Sequence, residues 1–168
     1  MTSRLDEDGG SNMAYGADAI VRLGGDDYVT LNWAQTFDDE GGSALDIARA
    51  RARWYKNREQ GLTYDVSLSR SGKDYNPGIG FQSRKDFSSM SNKLEYGWVP
   101  SDASPLRQHQ LSFESDLFIR NDDRKTDTWK AEAGWSARLK NGSSGELSVT
   151  RTVEDLLDSF SISDIDID

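Results

Sequence analysis

Apolar and polar residues alternate with a period of two along most of this chain, which marks half-buried β-strands rather than helices. From Tyr28 to Phe37, one face carries Val29, Leu31, Trp33 and Phe37, and the other carries Tyr28, Thr30, Asn32 and Thr36. The pattern recurs over Ala48–Tyr55, Leu62–Ser69, Met90–Trp98, His109–Ile119, Trp129–Leu139 and Glu146–Val153, with a less regular first strand over Tyr15–Leu23. The expected fold is all-β: an antiparallel up-and-down meander of about eight amphipathic strands across residues 12–155. Such a meander forms part or all of a transmembrane-type β-barrel. Residues 1–11 are expected to be a disordered acidic segment, and 156–168 an acidic tail or truncated outer loop.

One segment admits two structures. As a helix, the Ala-Arg repeat ending in Trp54 would scatter its arginines around the cylinder. As a strand it lines up Arg49, Arg51 and Arg53 on one face, and its strand-like neighbours favour that reading.

The connections alternate in length. Gly24–Asp26, Asn57–Gly61 and Asn141–Gly145 are tight turns with Gly or Asn where positive φ is needed, and a Pro-bearing link follows Val99. The intervening connections, Asp38–Asp46, Ser71–Asp86, Asn121–Asp127 and the tail from Asp155, are longer, more acidic or both. Short turns at one end and long loops at the other are expected of an outer-membrane barrel. Trp54 and Trp98 fall at short-turn ends and Trp129 near a long-loop end, as aromatic girdles at two interfaces would place them. Trp135 and the apolar residues Val29, Leu31 and Trp33 belong to the same candidate lipid-facing set.

Composition narrows the function classes. The net charge is -9 and the pI near 4.6, which disfavours a nucleic-acid partner. With no Cys and a single His, His109, thiolate metal sites and multi-His centres are excluded. A mean hydropathy of -0.74 and the lack of a long apolar run suit a soluble protein, yet barrels escape hydropathy because lumen-facing polar residues alternate with lipid-facing ones. A soluble up-and-down barrel binding a small ligand in its interior therefore stays open as an alternative, with its apolar face turned inward. Its alanine-rich faces (Ala48, Ala50, Ala52; Ala131, Ala133, Ala137) would fill such a core poorly.

Two segments resemble a known family. Asp74, Tyr75, Asn76, Pro77, Gly78, Ile79, Gly80 and Phe81, followed by Arg84, Lys85, Asp86 and Phe87, and then Glu146–Arg151 with Glu154–Leu156 and Ser159–Ile162, are similar to elements of the bacterial family known as domain of unknown function 5916. Gly78 stands where that family usually has an acidic residue, and Ser159 where it usually has Pro. The resemblance implies an outer-membrane barrel placed after a carbohydrate-binding-like domain of the family 9 type, in the cell outer membrane. It also implies that this chain is an internal fragment, and that the full protein passes or binds a solute or glycan.

Each candidate site has a plainer reading. The loop residues Asp74, Asn76, Pro77, Phe81 and Arg84 either fold into the lumen to meet a ligand or cap the barrel, and the cap is favoured. Arg49, Arg51 and Arg53 either select anions in a pore or neutralise Glu114, Asp116 and Glu132 within a crowded lumen, also lined by Lys130. Neutralisation is favoured. The acidic clusters at Asp6–Asp8, Asp38–Glu40, Asn121–Asp123 and Asp164–Asp168 lack a complete calcium loop and read as solvated. Glu114 and Asp116 share a strand face, an ordinary product of alternation, so no catalytic residue, enzyme activity, metal or cofactor is expected. The expected partner is the lipid bilayer.

Overall fold

The computed structural model describes residues 2–7, 10–38, 41–58, 60–78 and 84–155. Among the described residues nine strands follow one another: β1 (Thr2–Glu7), β2 (Gly10–Gly24), β3 (Asp27–Phe37), β4 (Ala48–Lys56), β5 (Gly61–Ser71), β6 (Phe87–Trp98), β7 (Leu106–Arg120), β8 (Thr126–Leu139) and β9 (Ser144–Glu154). They form one sheet in sequence order, every neighbouring pair antiparallel. The all-β antiparallel meander expected from the alternation is the observed fold, and no helix occurs among the described residues. The sheet is open, with β1 and β9 as its edges. The Ala-Arg segment is strand β4.

The N-terminus departs from expectation. Residues 2–7, read as disordered, form β1, and β2 starts at Gly10 rather than near Tyr15. The cause is backbone pairing: β3 pairs with β2 back to Met13, and β1 takes the other edge of that overhang over Gly10–Tyr15. Main-chain hydrogen bonds need no side-chain alternation, so this extension leaves no trace in the pattern.

Register makes the two faces continuous. Ala19, Leu31, Ala52, Leu68, Met90, Leu117, Trp129 and Val153 are successive partners across β2 to β9. One residue over, Thr30, Arg53, Ser67, Ser91, Asp116, Lys130 and Thr152 are successive partners across β3 to β9. A one-residue slip anywhere would mix the two sets.

The polar face is the more enclosed one. Thr36, Ser67 and Ser71 are buried on it, Ser71 completely, whereas Leu31, Leu68, Leu111, Phe113, Trp135 and Val149 are exposed on the apolar face. A sheet curled with its polar side inward gives this distribution.

The connections after β3, β5 and β7, the long-loop end, lie opposite those after β2, β4, β6 and β8, the short-turn end. At the long-loop end, the two ladders that join β3, β4 and β5 continue into the loops: Thr36 N–H donates to the Ile47 carbonyl (2.9 Å), Gly72 N–H to Ala48 (2.9 Å) and Asp74 N–H to Asp46 (3.0 Å). Gly72 is buried against that ladder, and a Cβ there would collide with the Asp46 carbonyl. Gly72→Val should therefore detach the 72–78 segment: limited proteolysis within it would accelerate while the far-ultraviolet β-signal stays unchanged. Unaltered proteolysis would show that the segment is held elsewhere.

Candidate functional site

The polar face brings together every candidate lumen residue. Arg49, Arg51 and Arg53 lie on β4, Glu114 and Asp116 on β7, and Lys130 and Glu132 on β8, all on the same side of the sheet. Alternation alone fixed that placement. It could not fix their partners, because those depend on register.

The expected neutralisation of the arginines by Glu114, Asp116 and Glu132 does not occur. Arg53 pairs in bidentate fashion with Asp65 on the adjacent β5 (2.8 and 2.5 Å) and lies over the Tyr55 ring. Arg51 donates through Nε to Ser67 Oγ (2.9 Å). Arg49 makes no side-chain hydrogen bond or ion pair among the described residues. Glu114 is instead bound by Lys93 (2.8 Å), which also reaches Glu95 (3.0 Å), and Glu132 is bound by Lys130 (3.3 Å) and the Thr150 hydroxyl (3.0 Å). Strands three or four apart in the sheet are too distant for direct pairing at about 4.8 Å per strand, so the charges that pair do so locally, and Arg49 and Asp116 stay unpaired among the described residues. Glu114, the acid of the i, i+2 pair with Asp116, is thus engaged by an ammonium group.

The apolar face holds the candidate girdle. Val29, Leu31, Trp33, Trp54, Trp98, Trp129 and Trp135 all fall on it by register. Its aromatic rings gather near both ends. Tyr15 packs on Trp33 (5.3 Å) and Phe37 (5.2 Å) towards the long-loop end. Trp54 packs on Tyr64 (4.7 Å), and Trp98 on Tyr96 (4.5 Å) and His109 (4.9 Å), towards the short-turn end. Charges enter this face mainly near its rims. Asp27 is bound there by Lys56 (3.0 Å) and the Tyr64 hydroxyl, and Arg70 donates to the Leu45 carbonyl (2.8 Å). Between the rims a shallow depression of about 650 Å³ lies over Ala17, Ala19, Ala50 and Ala52.

The family-like loop crosses the polar face. Past Asp74 the chain turns inward over β4: the Asn76 amide donates to Thr36 Oγ1 on β3 (3.1 Å), and the Asn12 side chain on β2 donates to the Asn76 carbonyl (2.9 Å). Tyr75 is buried and Pro77 half-buried. Both anchors belong to the polar face, so the segment lies on that side. The return arm is clamped as well: Asn121 donates to the Ser71 carbonyl (3.0 Å) and to Asp86 (3.1 Å), which has a φ of 51°. Arg84 pairs with Asp127 (2.9 Å) over the Phe118 ring. Phe81 and Ile79 lie outside the described residues, as do Asp8, Asp39, Glu40 and the tail 156–168 with its share of the family-like stretch. No group of three or more metal-ligating side chains occurs among the described residues, and no helix there is long and apolar enough to cross a membrane.

No family model, no curated protein and no solved structure matches the chain.

The Asn121–Lys125 loop carries the clearest electrostatic signature. The Arg120 guanidinium, then the Lys125 amide, hold the Asp123 carboxyl down from 3.8 to about 2. Arg120 also reaches Asp155 at the end of β9 (2.8 Å). A carboxylate whose folded value is depressed stabilises the fold above its unfolded value, and that contribution is lost as pH falls towards about 2. The Asp123 carboxyl carbon should titrate in nuclear magnetic resonance with a midpoint near 2. In Arg120→Gln the midpoint should rise towards 3.8. A midpoint near 3.8 in the unmodified chain would refute the clamp.

Proposed function

We propose that this sheet is part of the wall of an outer-membrane β-barrel, with its apolar face in lipid and its polar face lining a water-filled interior through which a solute passes or in which it binds. The observation that carries the reading is an uncovered apolar face bounded by aromatic rings at both ends.

Three features support it. First, strands β2 to β9 run from 9 to 15 residues. Strands of globular domains are mostly about 5–6 residues, whereas a tilted transmembrane strand needs about 9–11.

Second, the aromatic zones run obliquely to the register. Phe37 on β3 and Trp129 on β8 belong to the long-loop zone, yet the row of Trp129 meets β3 at Leu31, six residues before Phe37 (37 minus 31). The short-turn zone steps the same way: Trp54 aligns with Val66 on β5, but Tyr96 aligns with Leu62, nearer the turns. Strands tilted by about 35–45° and spaced about 4.8 Å apart shift a level plane by roughly one to one and a half residues per strand. That gives about five to seven residues over the five steps from β3 to β8, bracketing the shift of six.

Third, burial runs opposite to the rival soluble barrel. That fold buries its apolar face, whereas here the enclosed side carries Ser67, Ser71 and Thr36. The depression over the alanines would admit lipid chains. The family resemblance points to the same class, but the geometry carries the reading without it.

The chain should need detergent or lipid to stay monodisperse, and a chain remaining monodisperse in plain buffer would sink the proposal. Leu68→Arg, midway along β5, should lower folding stability in lipid vesicles by about 2–4 kcal/mol. Ser69→Arg on the other face should change it by far less. Equal effects from the two would count against a lipid-facing apolar side.

A further inference from the structure

We infer that Arg49 and Arg51 form a binding site for an oxyanionic group of the solute, a carboxylate, sulfate or phosphate. The inference deepens the barrel reading by naming a substrate class, and it stands on the arrangement of the polar face.

The arginine ladder is not uniform along β4. Arg53 is neutralised by the bidentate contact with Asp65. Arg51 has its guanidinium oriented by Ser67 through Nε alone, so both terminal nitrogens make no hydrogen bond among the described residues. Arg49 is unpartnered there, and both Arg49 and Arg51 are exposed. In register, Arg49 lies between Ala34 and Ser71, and Arg51 between Asn32 and Ser69, with Ser89 beyond on β6. Every one of these in-register neighbours is uncharged, and the carboxylate acting on Arg51 from off the row, Asp65, is held by the bidentate contact with Arg53. The next carboxylate along the Arg51 row is Asp18, two strands away, and it is engaged by the Asn32 amide (2.6 Å). Asp18 makes no ion pair with Arg51.

Two guanidinium groups at i and i+2 on one strand face therefore point into solvent from a floor of hydroxyls and amides. Their Cα atoms are about 6.6 Å apart along the strand, within which both forks can reach one oxyanion. Planar, always-charged forks of this kind recognise carboxylate, sulfate and phosphate through paired N–H donors.

The loop adds confinement. The segment from Gly72 to Gly78 is anchored on Ala48, Thr36 and Asn12, so it stands at the long-loop end of the same ladder. A solute entering from that end passes the loop and then meets Arg49 and Arg51 before the neutralised Arg53. Elsewhere on the face the cations are matched or outnumbered by carboxylates, Lys93 by Glu95 and Glu114 and Lys130 by Glu132, which leaves this corner as the positive one.

The test follows the arginine Nε–H resonances of the whole chain, in detergent micelles and in plain buffer, as sulfate replaces chloride at fixed ionic strength. The expected result is a saturable shift at Arg49 and Arg51 with Arg53 unmoved. Arg49→Gln should weaken binding by about tenfold or more, and Asp65→Asn should recruit Arg53 to the response. Shifts linear in sulfate, or equal at all three arginines, would overturn the site by reducing it to screening. Solubility of the same sample reports separately on the membrane reading. Saturable binding by a chain that stays monodisperse in plain buffer would keep the anion site and discard the barrel wall. A chain that requires detergent and shows no saturable shift would do the reverse.

Discussion

Everything in this structure depends on the antiparallel register that holds nine strands in a single layer. Backbone pairing alone does not choose that register, since a one-residue slip preserves nearly as many hydrogen bonds. What chooses it is the segregation of side chains: each row across β3 to β9 is mainly apolar or mainly polar, with exceptions such as Arg70, Asn92, Ser115 and Arg151 on the apolar side and Phe87 and Phe118 on the polar side. A single layer with one apolar face has no interior of its own in which to bury that face. The usual remedies, a second sheet or a helix laid against it, are absent among the described residues. The apolar face must find a medium, and in this account the medium is lipid.

The same constraint explains how the polar face is organised. With strands only about 4.8 Å apart, the ion pairs along the middle of the polar face form between adjacent strands or along one strand, as with Arg53 and Asp65 or Lys93 and Glu114. Long-range neutralisation across the interior plays no part, and so a local excess can persist. Arg49 and Arg51 are that excess. The long-loop end is stabilised differently, by main-chain ladders prolonged beyond the strands and by the Asn121 and Arg120 clamps. Among the described residues, the buried large apolar side chains Ile47, Tyr75 and Phe87 are found there.

Much of the fold was legible in the sequence because period-two alternation reports directly on sheet faces. All seven candidate apolar-face residues and all seven candidate polar-face residues fall where alternation puts them, and β4 is a strand despite its alanines. What was not legible depends on contacts distant along the chain. β1 is held by main-chain pairing and carries no pattern of its own. The partner of Arg53 required knowing that Asp65 lies beside it in register. The path of the Asn76 segment is set by Thr36 and Asn12, which stand 40 and 64 residues away in sequence. A loop rich in Gly, Pro and Asn announces a turn but not its direction. The resemblance singled out this loop without indicating that it crosses the polar face.

The central claim concerns which face meets lipid, and the chain has no Cys, so single spin labels can be placed at will. Labels at positions 31, 68, 113 and 149 and at 32, 69, 114 and 150, in chain reconstituted into lipid vesicles, would be compared for collision with dissolved oxygen and with a water-soluble nickel chelate. The account predicts strict alternation: the first set relaxed by oxygen, which concentrates in the acyl layer, and the second by nickel. A first set shielded from both reagents would place the apolar face in a protein interior and contradict the account.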